Sequence, residues 1–240
     1  MMNNRETVAS PRGCQPCLVG PLCFQGDAHG KLEKLAKPGC PVIHVGDLGL
    51  GFVSPVAIYE NVTKRQDFWF IRGNHDDPEI CRRNPRYLGE FGGSGSVFWV
   101  SGAWSIDRAH RMEGRDWWRD EELSAAQMRD AFDTYVAAKP RLMVTHDAPC
   151  GIFESGAPMP IRGYQPNATS LLLQAMLEAH RPELWVFGHH HVSRDFGFMR
   201  TRFRCLAELE TYTVEIAPDG SLHWPNVKVV APLPLKGARP

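Results

Sequence analysis

The sequence predicts an α/β fold in which a mostly parallel sheet is covered by helices on both faces. Two observations carry that expectation. From Cys17 to Ile71, short apolar runs alternate with helix-like segments, as strands alternate with crossover helices in parallel sheets. In addition, five apolar runs each deliver a residue able to bind a metal at their C-terminal end. They are Phe24-Gln25-Gly26-Asp27 before His29, Val45-Gly46-Asp47, Phe68–Ile71 before Gly73-Asn74-His75, Leu142–Thr145 before His146, and Val186-Phe187-Gly188-His189 before His191. Ligands of open α/β sheets gather beyond the carboxyl ends of the strands, so topology and chemistry agree.

The elements follow in order. Cys17–Gln25 reads as a strand, and Gly20-Pro21 within it suggests an edge position or a bend. Lys31–Lys37 forms a short helix stopped by Pro38-Gly39. Pro41–Val45 is the second strand. Ser54 caps a helix with Pro55 at its first position, running towards Arg65, and Phe68–Ile71 is the third strand. Gly92-Gly93-Ser94-Gly95 punctuates the chain before a strand over Ser96–Ser101. The segment from Asp107 to Glu122, dense in charge and aromatics, is a long, partly ordered loop leading to a helix capped by Ser124 and ending near Ala138, before Pro140.

Arg141–Thr145 is a strand and Gly151–Pro166 a loop. Thr169–His180 is an amphipathic helix with Leu172, Leu173, Met176 and Leu177 on one side, and Leu184–Phe187 is again a strand. Beyond Phe196, Arg202–Leu206 and Thr211–Ile216 suggest antiparallel strands, with a turn at Pro218-Asp219-Gly220. Neither a tandem repeat nor a shift in composition marks a linker. Residues 1–240 therefore read as one domain, with an N-terminal extension over 1–16 and a tail over about 232–240.

Hydrophobic residues make up 43% of the chain and charged residues 22%, an ordinary globular balance. Lys plus Arg and Asp plus Glu both count 27, so no global field draws the protein to nucleic acid or anionic membranes, although a local basic groove stays compatible. Seven cysteines without a secretory signal favour a reducing cytoplasm over a disulfide framework. The lone Cys14-Gln15-Pro16-Cys17 pair reads as incidental. No apolar run approaches the roughly 20 residues a bilayer needs. The expectation is a soluble, cytoplasmic protein with no membrane partner.

Asp27, His29, Asp47, Asn74, His146, His189 and His191 combine carboxylate, imidazole and amide oxygen, a set suited to manganese, iron or zinc. Thiolate is absent from the set, which argues against a structural zinc cage. Seven ligands suffice for two ions if one carboxylate bridges them at the roughly 3.5–4 Å typical of two-metal sites, an arrangement suited to phosphate-ester hydrolysis.

In order along the chain, Gly26-Asp27-Ala28-His29-Gly30, Gly46-Asp47, Gly73-Asn74-His75-Asp76, His146 and Gly188-His189-His190-His191 resemble the five signature blocks of the calcineurin-like metallophosphoesterases. The resemblance implies a four-layer αββα sandwich of two mixed β-sheets flanked by helices, with a dinuclear site at the C-terminal ends of the strands. It implies Asp27, His29 and His191 on one metal, Asn74, His146 and His189 on the other, and Asp47 bridging both. The implied cofactors are two divalent or trivalent transition-metal ions, manganese and/or iron first, with zinc as an alternative. His75 resembles the family's non-ligand histidine, which contacts the scissile phosphate and protonates the leaving group attacked by a metal-activated hydroxide.

The second block departs from that of the phosphoprotein phosphatases. Leu50 stands where they carry an acid, and their phosphate-binding Arg has no equivalent. The partner that orients His75 is therefore open, Asp76 and Asp147 being candidates by proximity. A phosphorylated small molecule or nucleotide leads as substrate, ahead of a nuclease and then a protein phosphatase. A non-catalytic scaffold keeping the fold is the second class. His44 reads as a hydrogen-bonded core residue, His190 as pointing away from its two neighbours, and His110, His180 and His223 as surface or structural. Arg72 fits either a phosphate contact or a structural ion pair. Trp117-Trp118 fits loop packing better than base stacking.

Overall fold

A computed structural model describes residues 18–52 and 55–224. The N-terminal extension, the Cys14–Cys17 pair, the Ser54 cap and the C-terminal tail lie outside the described residues. In chain order the strands are β1 (Gly20–Gln25), β2 (Val42–His44), β3 (Phe68–Phe70), β4 (Phe91–Ser94), β5 (Val97–Val100) and β6 (Leu142–Thr145). They continue with β7 (Leu184–Phe187), β8 (Arg194–Phe198), β9 (Thr201–Cys205), β10 (Thr211–Ile216) and β11 (Leu222–His223). The helices are α1 (Pro55–Lys64), α2 (Pro78–Arg83), α3 (Ala125–Ala138) and α4 (Ala168–Ala179).

These strands form two mixed sheets, ordered β11-β10-β1-β2-β3 and β4-β5-β6-β7-β9-β8, rather than one mostly parallel sheet. The reason lies in the strand pattern. β5, β6 and β7 are buried on both faces and alternate strictly: Val97, Trp99, Leu142, Val144, Leu184 and Val186 face Phe24, Ile43, Val45, Trp69 and Ile71 of the other sheet. The intervening Phe98, Val100, Met143, Trp185 and Phe187 pack instead with Tyr135 of α3 and Leu173, Met176 and Leu177 of α4. Val42, Phe68 and Phe70 pack with Ile58 and Val62 of α1 and Cys81 of α2. The result is four layers, helix–sheet–sheet–helix. Each fully buried Phe or Leu contributes roughly 1.5–3 kcal/mol relative to exposure, so the inter-sheet layer and the two sheet–helix layers all stabilise the fold.

Several local expectations change. β1 lies in the middle of its sheet, paired parallel to β2 and antiparallel to β10; Gly20 and Pro21 begin the strand instead of interrupting it. Lys31–Lys37 holds a single 3-10 turn, Leu32–Lys34, because the Gln25 side chain donates to Lys34 O and accepts from Ala36 N, tying this stretch to β1. Helix α2 was not anticipated, although Asp77 caps it and Pro78 takes its first position. The glycine-rich Phe91–Ser94 is a strand, antiparallel to β5, in which a β-carbon at Gly92 would press on the Trp99 ring. β9 pairs antiparallel with β8 but parallel with β7. Ser124 caps α3 as expected and forms a full capping box with Gln127.

The five described cysteines are unpaired. Among the described residues, no helix is long and apolar enough to cross a membrane.

Candidate metal centre

Strands β1, β2 and β3 of one sheet and β6 and β7 of the other end at the same edge, and every candidate ligand lies within four residues of a strand terminus. Four of them occupy the left-handed region that L-residues avoid: His29 (φ 45°), Asp47 (φ 56°), His189 (φ 65°) and His191 (φ 52°). Such conformations cost roughly 1–2 kcal/mol each and persist only where the surroundings enforce them. The glycines before the ligands explain how the loops fit. A β-carbon at Gly73 would collide with the Asp47 carboxylate and His146 Nε2, and one at Gly188 with the Asp27 carboxylate. The strand-Gly-ligand pattern is a requirement for close backbone approach.

Two groups of donor atoms result. Asp27, His29, Asp47 and His191 form the first, and Asp47, His146 and His189 the second. His191 Nε2 lies 3.0 Å from Asp27 Oδ2 and 3.0 Å from His29 Nε2. Asp47 belongs to both groups with different oxygens: Oδ2 lies 4.0 Å from His29 Nε2, and Oδ1 lies 3.3 Å from His146 Nε2. Asn74 Oδ1, 3.2 Å from His146 Nε2, joins the second group.

This arrangement fits metal ions. Asp27 and Asp47 are buried carboxylates whose ion-pair partners among the described residues are imidazoles alone. A buried charge requires a partner, and carboxylate with imidazole is a donor set for first-row metals. Burial opposes ionisation of Asp47, yet the neighbouring imidazoles hold it well below the usual carboxylate range. Burial likewise opposes a charged His146, yet Asp47 raises it to about 10; a cation at this point answers the same field.

The surroundings orient the ligands. His146 Nδ1 donates to Val45 O at 2.8 Å, turning Nε2 towards Asp47. Asn74 Nδ2 donates to Ser105 Oγ at 3.1 Å, which directs Oδ1 to the second group. Ser105 in turn donates to Glu121 through Oγ at 2.6 Å and its backbone N–H at 3.0 Å. Asp76 accepts from the backbone N–H of Leu48, Gly49, Leu50 and Gly73, locking the Asp47 loop to the Asn74 loop. Burial and the Asp47 charge push its carboxyl up to about 6 despite those four donors.

His75 stands outside both groups. Its backbone N–H donates to Asp47 Oδ1 at 2.9 Å, and its ring packs edge-on against Phe52 (centroids 5.0 Å) and His29 (5.3 Å). Neither carboxylate considered from the sequence reaches the ring. Asp76 is occupied by backbone donors, and Asp147 contacts His190 Nε2, Ala148 N and Asn167 Nδ2. The ring edge instead faces Arg111, with Nη1 3.1 Å from Nδ1 and Nη2 3.4 Å from Nε2. Burial lowers the His75 pKa, and Arg111 adds to that against the opposing Asp47 charge.

The remaining candidates separate cleanly. His44 is fully buried, but neither ring nitrogen has a partner, so the expected hydrogen bond is not there; burial drives it down to about 3, leaving a neutral ring beside Phe68. His190 turns to Asp147 and the Phe153 ring, as its position between two candidate ligands predicted. Arg72 is buried in an ion pair with Glu90 and also donates to Glu121 O. Trp118 packs into the interior against Gly51, while Trp117 is half-buried. His180 Nε2 bonds Pro140 O, and His110 and His223 are exposed. Ser105, Glu121, Phe52 and Arg111 are the site residues that no motif disclosed.

The calcineurin-like phosphoesterase profile matches residues 24–193. No curated protein matches the chain. Among solved structures, a putative 5'-nucleotidase from Staphylococcus aureus is 13% identical (TM-score 0.49, covering 85% of this chain and 53% of that one). An inner-membrane-complex anchor of Plasmodium is 12% identical (TM-score 0.49, 87% and 90%), and a phosphopantetheinyl hydrolase from Mycobacterium tuberculosis is 12% identical (TM-score 0.41, 79% and 90%). The chain thus spans about half the length of the nucleotidase it resembles. With the ordered blocks inside the matched span, the chain belongs to the calcineurin-like phosphoesterases, hydrolases acting on phosphate esters.

Proposed function

We propose that this protein hydrolyses phosphate mono- or diesters of a small molecule or nucleotide, using two transition-metal ions, manganese and/or iron ahead of zinc. Asp27, His29 and His191 would hold one ion and Asn74, His146 and His189 the other, with Asp47 shared. When bound, such a pair lowers the pKa of a water and neutralises charge on the phosphoryl oxygens. The observation that carries this reading is the placement of the Asp47 oxygens, Oδ2 towards His29 and Oδ1 towards His146.

The chain's own residues then have distinct tasks. Asp76 fixes the loop that presents Asp47, and the Ser105–Glu121 pair fixes Asn74. His75, beside the candidate ligands but outside both groups and with its ring packed on Phe52 and His29, would protonate the departing oxygen. A negatively charged substrate favours the protonated imidazole that Arg111 disfavours. His75→Ala is expected to retain the metals. Its kcat should fall by about 10²–10⁴-fold for alkyl phosphates, the usual contribution of general acid catalysis, and far less for nitrophenyl esters. Equal losses across a leaving-group series would remove the acid role.

A further inference from the structure

Arg111 is held like a tool with one working edge. Its Nε and Nη2 donate to the two oxygens of Asp107, each at 2.7 Å, and Nη1 donates to Asp116 O at 3.1 Å. The guanidinium lies over the Phe52 ring, 5.4 Å from its centroid, and the side chain is only 14% exposed. A guanidinium has five N–H donors and no acceptor. Three are used, and the two left, one on each Nη, both face the His75 ring. That ring offers at most one acceptor, and none when protonated. At least one of the two contacts therefore sets a donor against a donor. A half-buried fork with more donors than the facing ring can accept leaves at least one N–H free for an anionic oxygen.

We propose that Arg111, with His75, binds the third non-bridging oxygen of the scissile phosphoryl group and thereby selects phosphate monoesters over diesters. This rests on the phosphoesterase reading above. A monoester presents three non-bridging oxygens and carries up to two charges. A diester presents two and carries one, so it lacks the third charged oxygen that this fork would bind. The Asp107 pairing orients the fork in advance, so substrate binding need not order it. The guanidinium that the second sequence block lacks is supplied from the loop before α3, through a different part of the fold.

The test compares wild type with Arg111→Gln, both metal-loaded, by calorimetric binding of inorganic phosphate and of dimethyl phosphate, and by turnover of an aryl phosphate monoester and a bis-aryl diester. Losing one charge-assisted hydrogen-bonding group should weaken inorganic phosphate, and kcat/KM for the monoester, by about 10- to 100-fold. Dimethyl phosphate and the diester should change less than about threefold. Arg108→Gln removes an exposed cation of the same loop, stacked on Trp104, and should change none of these values. Where Arg111→Gln fails to fold, Arg111→Lys keeps a charge for Asp107 but not the fork, and should show the same monoester-selective loss in smaller measure. Equal losses for both ester classes, or unchanged phosphate binding, would overturn the proposal. A wild type that turns over neither ester would instead refute the phosphoesterase reading, while its phosphate binding would still decide the role of Arg111.

Discussion

The two halves of the site are built on opposite plans. The strand-end loops place ligands by backbone strain: left-handed His29, Asp47, His189 and His191, with glycines clearing space for carboxylates. The segment between β5 and α3 places its groups by side-chain pairing: Ser105 on Glu121, and Arg111 on Asp107. On the proposed reading the first plan would fix where a cation sits, and its close contacts tolerate little change. On the proposed reading the second would set how ligand and substrate are oriented, and it can vary without disturbing the sheets.

That contrast ranks the effects of substitution. Asp47→Ala strikes the shared carboxylate of the strand-end plan and should abolish turnover, because both donor groups lose a member. A variant keeping appreciable metal-dependent activity would place the bridge elsewhere. Ser105→Ala strikes the second plan. It frees Asn74 to rotate and leaves Glu121 buried without its hydroxyl donor. Loss of such an outer partner typically costs about 10–100-fold in metal affinity or activity. Metal titration of the variant checks this, and an unchanged affinity would reduce Ser105 to a packing role.

The smallest effect concerns His44, in β2 just before the Asp47 loop. Its ring is neutral in the fold, with a pKa near 3, against about 6.5 in the unfolded chain. Stability from this group is complete above about pH 6.5 and is lost as pH falls towards 3, because only the unfolded chain takes up the proton. Between pH 7 and 5.5 wild type should lose about 1 kcal/mol that His44→Phe does not, read from urea midpoints at the two pH values. Parallel losses in both proteins would show that His44 is not the group responsible.

The strand-end half was legible because its signal is local: an apolar run, a glycine and a ligand within a few residues. Its strands were legible for the same reason, although the division into two sheets came only from the family resemblance, since alternate faces of β5–β7 are both apolar and give no periodicity to read. The other half was not legible. Ser105 reaches Asn74 across 31 positions and Arg111 reaches His75 across 36, through a segment with no repeating pattern. Proximity suggested Asp76 and Asp147 as partners of His75, but backbone amides claim Asp76 and His190 contacts Asp147. The Asp77-Pro78 pair that starts α2 is a local cap signal of the same legible kind.

Elemental analysis of the purified protein after loading with manganese or iron, beside Asp47→Ala, tests the central claim most directly. Two equivalents per wild-type chain and none held tightly by the variant is the predicted result. One equivalent in wild type, or one ion retained by Asp47→Ala, would contradict a dinuclear centre bridged by that carboxylate.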